Sequence, residues 1–275
     1  MNVTEIIKDA FLFPSKNTGK FAIYLLLSVF MVWFVFVGVF TYASGLINAK
    51  NYLTGGMCLI ISLLIGFIIV GYNIKVIKSG IELDDNVPAF ELYEDFMTGF
   101  NNFVVLIFYF IIPALIVILI GLDTNIFGNA MAIKQELFLQ AFNVYMGNPI
   151  DITLNTISSV LAPFVSSLAT TISFLLILFV IFSILRLMAE ARLANTGSLR
   201  ESLNIFEAAK DIARIGVGKV ILLILLFVVI IAIIQIILMV IFVHPFLIPI
   251  IYILITPYLV LVAKRALGLL YSDIA

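Results

Sequence analysis

Few side chains in this 275-residue sequence are of the types that do chemistry. The single histidine, His244, is followed by Pro245, and the single cysteine, Cys58, lies inside an apolar run. One thiol closes no internal disulfide, and one thiol with one imidazole is short of a metal's ligand set. Cys58 therefore reads as a small buried hydrophobe, and His244 as a turn residue. The run Glu82, Asp84, Asp85 and Asn86 offers oxygen ligands, but it lacks the glycine and closing glutamate of an EF-hand loop. It reads as a solvated turn leading to Pro88. No phosphate-cradling glycine loop, zinc-protease helix or nucleophile elbow occurs.

The most specific spacing is a stripe of small residues. Ser159, Ala162, Ser166, Ala169 and Ser173 recur at intervals of three, four, three and four, and Asn155 extends the series. Such spacing puts all of them on one helix face. Small residues admit a second helix closely and hydroxyls bond across, so packing is the first reading and a polar path the second. Gln235 is the most polar side chain in its apolar run and reads as a helix-to-helix hydrogen-bonding group. Pro113 and Pro163 interrupt the backbone ladder of their helices and free carbonyls there.

The elements that carry these residues follow from composition. Hydrophobic residues make up 64% of the chain and charged residues 11%, with a net charge of −1. A soluble chain carries about 25% charged residues, so this one has too little polar surface to be a water-soluble enzyme or a basic nucleic-acid binder. Mean hydropathy is +1.25. Six apolar runs, residues 21–47, 53–74, 103–122, 157–185, 220–243 and 246–263, contain no Asp, Glu, Lys, Arg or His. Each approaches the roughly 20 residues that cross a bilayer as a helix. His244-Pro245 divides the last two, since 44 continuous residues would be too long for one crossing and proline ends helices. The first run is preceded by about 20 residues and is too long for a signal-peptide core of 7–15, so it is expected to stay in the protein. Thirteen basic residues fall on the side of the termini, against Lys50 and Lys134 on the other. That bias places both termini in the cytoplasm with an even number of spans.

A threefold pattern organises the rest. Each pair of spans follows an amphipathic segment, at residues 3–13, 89–100 and 199–215, with apolar residues at helical period. Ser198 with Glu201 forms a capping box and Asn2 with Glu5 resembles one, while Pro88 suits a first helical turn. Phe90-Glu91 and Asp95 match Phe206-Glu207 and Asp211 at one offset, and Lys78, Arg192 and Lys264 each follow Tyr72, Arg186 and Tyr258 by six. The expected architecture is an all-α, polytopic integral membrane protein of six transmembrane helices in three hairpins. Each hairpin is preceded by an amphipathic helix lying on the cytoplasmic membrane surface. The chain is read as a single membrane domain with repeat units 1–78, 79–192 and 193–275. An outer-loop insertion, 123–156, contains an amphipathic stretch at 131–145.

The residues from Gly71-Tyr72 through Ile77-Lys78, Gly80, Leu83, Asp84-Asp85, Pro88, Phe90, Asp95-Phe96 and Gly99, with Tyr109 and Pro113, resemble an uncharacterised archaeal membrane family known only as a domain of unknown function. The layout is also similar to the six-helix membrane domain attached to some glycerophosphodiester phosphodiesterases, without their catalytic domain. The resemblance implies six spans and carries no reaction, so it transfers no functional residues. The sequence therefore leads to a non-enzymatic scaffold, assembly or lipid-organising component of the cell membrane. A transporter or channel for an apolar or lipid-like solute, using the stripe, is the second expectation. Membrane lipids, a second copy or another membrane protein are the expected partners, with no cofactor and no nucleic acid.

Overall fold

The computed structural model describes residues 1–46, 50–147, 154–241 and 247–275. Among these no strand occurs. The helices are α1 (Val3–Leu12), α2 (Thr18–Ala43), α3 (Lys50–Ile81), α4 (Leu92–Asp123) and α5 (Ile126–Tyr145), then α6 (Leu154–Thr196), α7 (Leu199–Ser202), α8 (Ile205–Ile215), α9 (Val217–Ile241) and α10 (Leu247–Tyr271). Six of them, α2, α3, α4, α6, α9 and α10, are long and apolar enough to cross a membrane. Large side chains such as Trp33, Phe36 and Phe40 stand exposed on α2. Water would not tolerate so continuous an apolar surface, whereas lipid does. The chain thus reads as a multi-pass membrane protein.

The helices form two compact units, residues 1–106 with 185–275 and residues 107–184. In the first unit glycines set the helix packing. A Cβ on Gly71 of α3 would overlap the carbonyl oxygen of Asp95 in α4, and one on Gly99 of α4 would overlap that of Phe67. Likewise a Cβ on Gly268 of α10 would overlap the Ile77 carbonyl, and Gly80 faces the same crossing. Only glycine lets backbones approach this closely, and the approach raises dispersion contact along the crossing. Around it Tyr24, Ile69, Tyr72, Val76 and Leu261 form a buried core with Phe13 and Val87. Tyr72 stacks on Phe90 with ring centroids 3.9 Å apart. In the second unit, Asn129 of α5 donates to Ser167 Oγ of α6 at 3.2 Å, and Pro113 is buried within α4.

Several sequence expectations change. The segment 89–100 is not a separate helix: α4 begins at Leu92 and continues unbroken to Asp123. Gly99 serves close approach to α3, and nothing between Phe100 and Phe103 ends a helix. Pro88 precedes the helix instead of opening it. The segment 199–215 divides into α7 and α8, because Asn204 caps α8 by accepting the Glu207 N–H at 3.2 Å. Gly216, at φ +100°, then turns the chain into α9, a backbone state costly for other residues. Ser198 does accept from Glu201 N at 3.4 Å, and Asn2 N donates to Glu5 at 2.9 Å. The outer insertion contains a 20-residue helix, α5, longer than its amphipathic stretch. Within it Leu137, Phe138 and Phe142 are exposed. His244-Pro245 lies outside the described residues; α9 and α10 are distinct helices on either side of it.

Candidate functional site

Three charged pairs of the first unit lie toward the ends of α3, α6 and α10. Lys75 of α3 lies 2.9 Å from Asp95, Arg192 of α6 lies 2.7 Å from Asp211, and Arg265 of α10 lies 3.0 Å from Asp9. Asp95 and Asp211 are buried, as is Arg265. A buried charge survives only when paired and hydrogen-bonded, and each of these is. Asp95 also accepts the Glu91 N–H at 2.8 Å, and Asp211 accepts the Tyr271 hydroxyl at 2.8 Å. Each aspartate stands four residues after a glutamate, in the pairs Glu5/Asp9, Glu91/Asp95 and Glu207/Asp211. That recurring Glu-x-x-x-Asp was the available signal for the first pair, which sequence reasoning missed.

The acidic loop has a definite task. Arg265 donates to the Asp84 carbonyl at 2.7 Å and to Ser79 Oγ at 3.2 Å, and lies 3.5 Å from Asp85. Its guanidinium also covers the Phe13 ring at 4.4 Å, a favourable cation–π contact. Lys16 completes the group, 2.6 Å from Asp85. The hydrogen bond from Lys16, then its charge, holds the Asp85 carboxyl below its usual value. The loop is solvated, with Glu82 to Asn86 exposed, and it also holds a guanidinium through the Asp84 carbonyl and Asp85. At the other terminus Asp273 pairs with the N-terminal ammonium at 3.0 Å and with Lys219. Glu91 is likewise held below its ordinary value, first by the hydrogen bond from Lys75.

Beside this framework lies a cavity of about 540 Å³, lined by α2, α3, α10 and the first-unit parts of α4 and α6. Its wall is mostly apolar, with Met31, Phe67, Val70 and Ile253 among the lining residues. Val32, Leu63, Phe103 and Tyr252 line it and are also exposed, so it opens on the surface of the unit. Tyr24, Ser28, Asn73, Asn102 and Arg186 also border it. Tyr24 donates to Asn73 at 2.9 Å. Behind the wall the buried Glu190 is met by Arg186 at 2.6 Å, by Lys264 at 2.5 Å, and by Asn102 Nδ2 at 3.3 Å. With its nitrogen turned to that carboxylate, the Asn102 carbonyl oxygen is buried without a hydrogen-bond partner among the described residues. The volume is in the range of small-molecule sites, roughly 300–1,000 Å³.

The residues singled out by sequence do not converge here. Ser159, Ala162, Ser166, Ala169 and Ser173 all stand on the exposed face of α6, and none lines the cavity of the first unit. The packed face is the neighbouring one: Ser167 is buried, and Thr171 lies 3.4 Å from Thr124. Gln235 is exposed on α9, and Cys58 is half-buried. Sequence reasoning missed Asn73, Asn102, Arg186 and Glu190. Asn73 sits inside the run 53–74, Asn102 stands just before the run 103–122, and Arg186 and Glu190, one turn apart, follow the run 157–185.

Residues 54–243 match the family described as "Protein of unknown function (DUF4013)". The chain belongs to this family. The DUF4013 match runs from within α3 to just beyond the end of α9. It includes Asn73, Asn102, Arg186 and Glu190, along with the Lys75–Asp95 and Arg192–Asp211 pairs, while Asp9, Tyr24 and Arg265 lie outside it. No curated protein and no solved structure matches the chain.

Proposed function

We propose that this DUF4013 protein is a non-enzymatic, multi-pass component of the cell membrane that binds and organises a membrane lipid. The observation that carries the reading is the open, almost wholly apolar cavity in the first unit. It suits the acyl chain of a lipid. The charged residues around it are engaged with one another in structural pairs, which fits a scaffold better than a reaction centre.

The topology is part of the proposal. Three hairpins derived from one repeat, with both termini cytoplasmic, accord with the placement of the basic residues. They also accord with the cyclic logic of the pairs: each aspartate meets a cation from the span that ends the preceding unit, and Arg265 closes the circle on Asp9. Of the amphipathic segments, α1 turns Val3, Ile6 and Ala10 inward, whereas Phe206 of α8 is exposed. α8 and α5 are thus the segments that rest on the membrane surface. An archaeal source and a layout shared with phosphodiesterase membrane domains belong with this reading. The exposed stripe on α6 suits a second copy or another membrane protein, through close helix approach.

A second reading, passage of a lipid-like solute, is favoured by the exposed residues at the cavity rim; the path would then use this cavity and not the stripe. Purification in mild detergent with identification of bound lipid tests the leading reading. A retained lipid, lost when Gly66→Phe fills the cavity, supports it. Gly66 lines the cavity, and a Cβ there has the Met31 sulfur as its nearest outside neighbour, at 3.6 Å, so the side chain can start without a clash. Protein free of lipid, or lipid unaffected by the substitution, would refute it. Lipid movement across purified proteoliposomes would select the second reading.

A further inference from the structure

We infer that the cavity takes an acyl chain of a neutral lipid, one without a charged head, and takes it methyl end first from the middle of the bilayer. The inference rests on the proposed lipid site and narrows the class of lipid. Three lysines mark the polar level of the first unit: Lys20 donates to the Val87 carbonyl, Lys75 pairs with Asp95, and Lys264 pairs with Glu190. The lining side chains sort by their distance from that level. Tyr24, Asn73 and Pro257 stand four, two and seven residues from Lys20, Lys75 and Lys264, and all three are buried. Val32, Leu63 and Tyr252 each stand twelve residues from the same lysines, and all three are exposed. Twelve helical residues rise about 18 Å, and the hydrocarbon core of a bilayer is about 30 Å thick. The cavity is therefore shut at the level of the charges and open near the middle of the bilayer. At the shut end Tyr24 donates to Asn73 and Arg186 meets Glu190, so these polar groups are turned to the protein. A charged head brought into so apolar a space would lose its water without gaining a partner. A phospholipid of the near leaflet holds its head at the lysine level and sends its chain ends down, away from the shut end. The chain of a far-leaflet phospholipid ends near the middle, at the mouth. A neutral lipid is tied to neither surface, so it can lie in the middle and send a chain end upward into the cavity.

The test reads the direction of the chain. The full-length protein is reconstituted in phosphatidylcholine vesicles with a trace of triacylglycerol, whose chains carry a diazirine either at the methyl end or beside the ester. Phosphatidylcholine with the same two diazirine positions is the comparison, at the same mole fraction. After irradiation, peptide mass spectrometry maps the labelled residues. The methyl-end triacylglycerol should label Val70, toward the shut end, and the ester-side one Leu63, at the mouth; both residues line the cavity. Unlabelled triacylglycerol should compete for both, and labelling of Val70 should exceed that by either phosphatidylcholine at least tenfold. The opposite order, with the ester side at Val70, would mark a lipid anchored in the near leaflet. It would overturn the neutral class and leave the lipid site standing, as would equal, competed labelling of Val70 by both lipids. Labelling of neither residue, or labelling that no added lipid competes, would overturn the lipid site itself. Gly66→Phe should remove the labelling of Val70 and leave that of the outward Phe36 as it was. Unchanged labelling of Val70 in the folded variant would contradict the inference, and the wild-type probe series decides it if the variant does not fold.

Discussion

The guanidinium of Arg265 lies 3.0 Å from the carboxylate of Asp9, joining the last helix to the first across 256 residues of sequence. Arg265 is fully buried and also holds the 84–85 loop. Arg265→Met should therefore leave Asp9 and the loop without their shared partner and cost about 3 kcal/mol, the low end for breaking a buried pair, since Asp9 retains some solvent. Arg265→Lys should recover only part of this, because one ammonium cannot reproduce the forked contacts. Unfolding in detergent, followed by helix signal against denaturant, measures both.

The glycine crossings make a contrasting pair of predictions. Gly71→Ala places a methyl group against the Asp95 main chain, and should destabilise by about 1–3 kcal/mol or more as overpacking. Gly56→Ala on the same helix meets nothing within 4 Å, and should be neutral or stabilising by up to about 1 kcal/mol through helix propensity. Thermal unfolding of the two variants side by side checks the difference.

How much was legible beforehand follows from these elements. The spans were readable because the bilayer imposes one rule on every residue at its depth: apolar side chains on a self-satisfied helix. The close contacts were not. Gly99 has the same sequence signature whether it ends a helix or admits a neighbour's carbonyl, and only the position of Phe67 separates the two. The small-residue stripe was ambiguous for a related reason. Spacing fixes a shared face, but not whether that face or the adjoining one, with Ser167 and Thr171, turns inward. The grouping of Arg186 and Glu190 with Asn102 and Lys264 was not legible, because those partners are 88 and 74 residues from Glu190.

The exposure of that stripe leads to an expectation of its own. Replacing Ser159, Ser166 and Ser173 together with leucine should alter the unfolding free energy by no more than about 0.5 kcal/mol per site, as for surface positions. If the face meets a second copy, the same variant loses its oligomer, read as mass by light scattering in detergent.

The terminal clasp predicts a pH dependence. Burial raises the Asp273 carboxyl, but the hydrogen bonds from Lys219 and the N-terminal ammonium outweigh it and hold the group below its ordinary value. A carboxylate depressed in the folded state stabilises it above its unfolded pKa, about 3.9, and loses that contribution as pH falls through the lower folded value. Asp273→Asn should thus unfold more easily than wild type at neutral pH. The gap should begin to close as pH falls below about 4 and vanish once the folded carboxyl is protonated, as seen in unfolding temperatures across that range.

The central claim is that a lipid chain occupies the cavity of the first unit, and photolabelling tests it most directly. A lipid with a photoactivatable group on its acyl chain is bound to the purified protein, irradiated, and its attachment sites mapped by peptide mass spectrometry. The account predicts saturable labelling of Met31, Phe67 and Val70, competed by unlabelled lipid and abolished in Gly66→Phe. Labelling confined to outward side chains such as Phe36 and Ile236, without competition and unchanged in the variant, would contradict it.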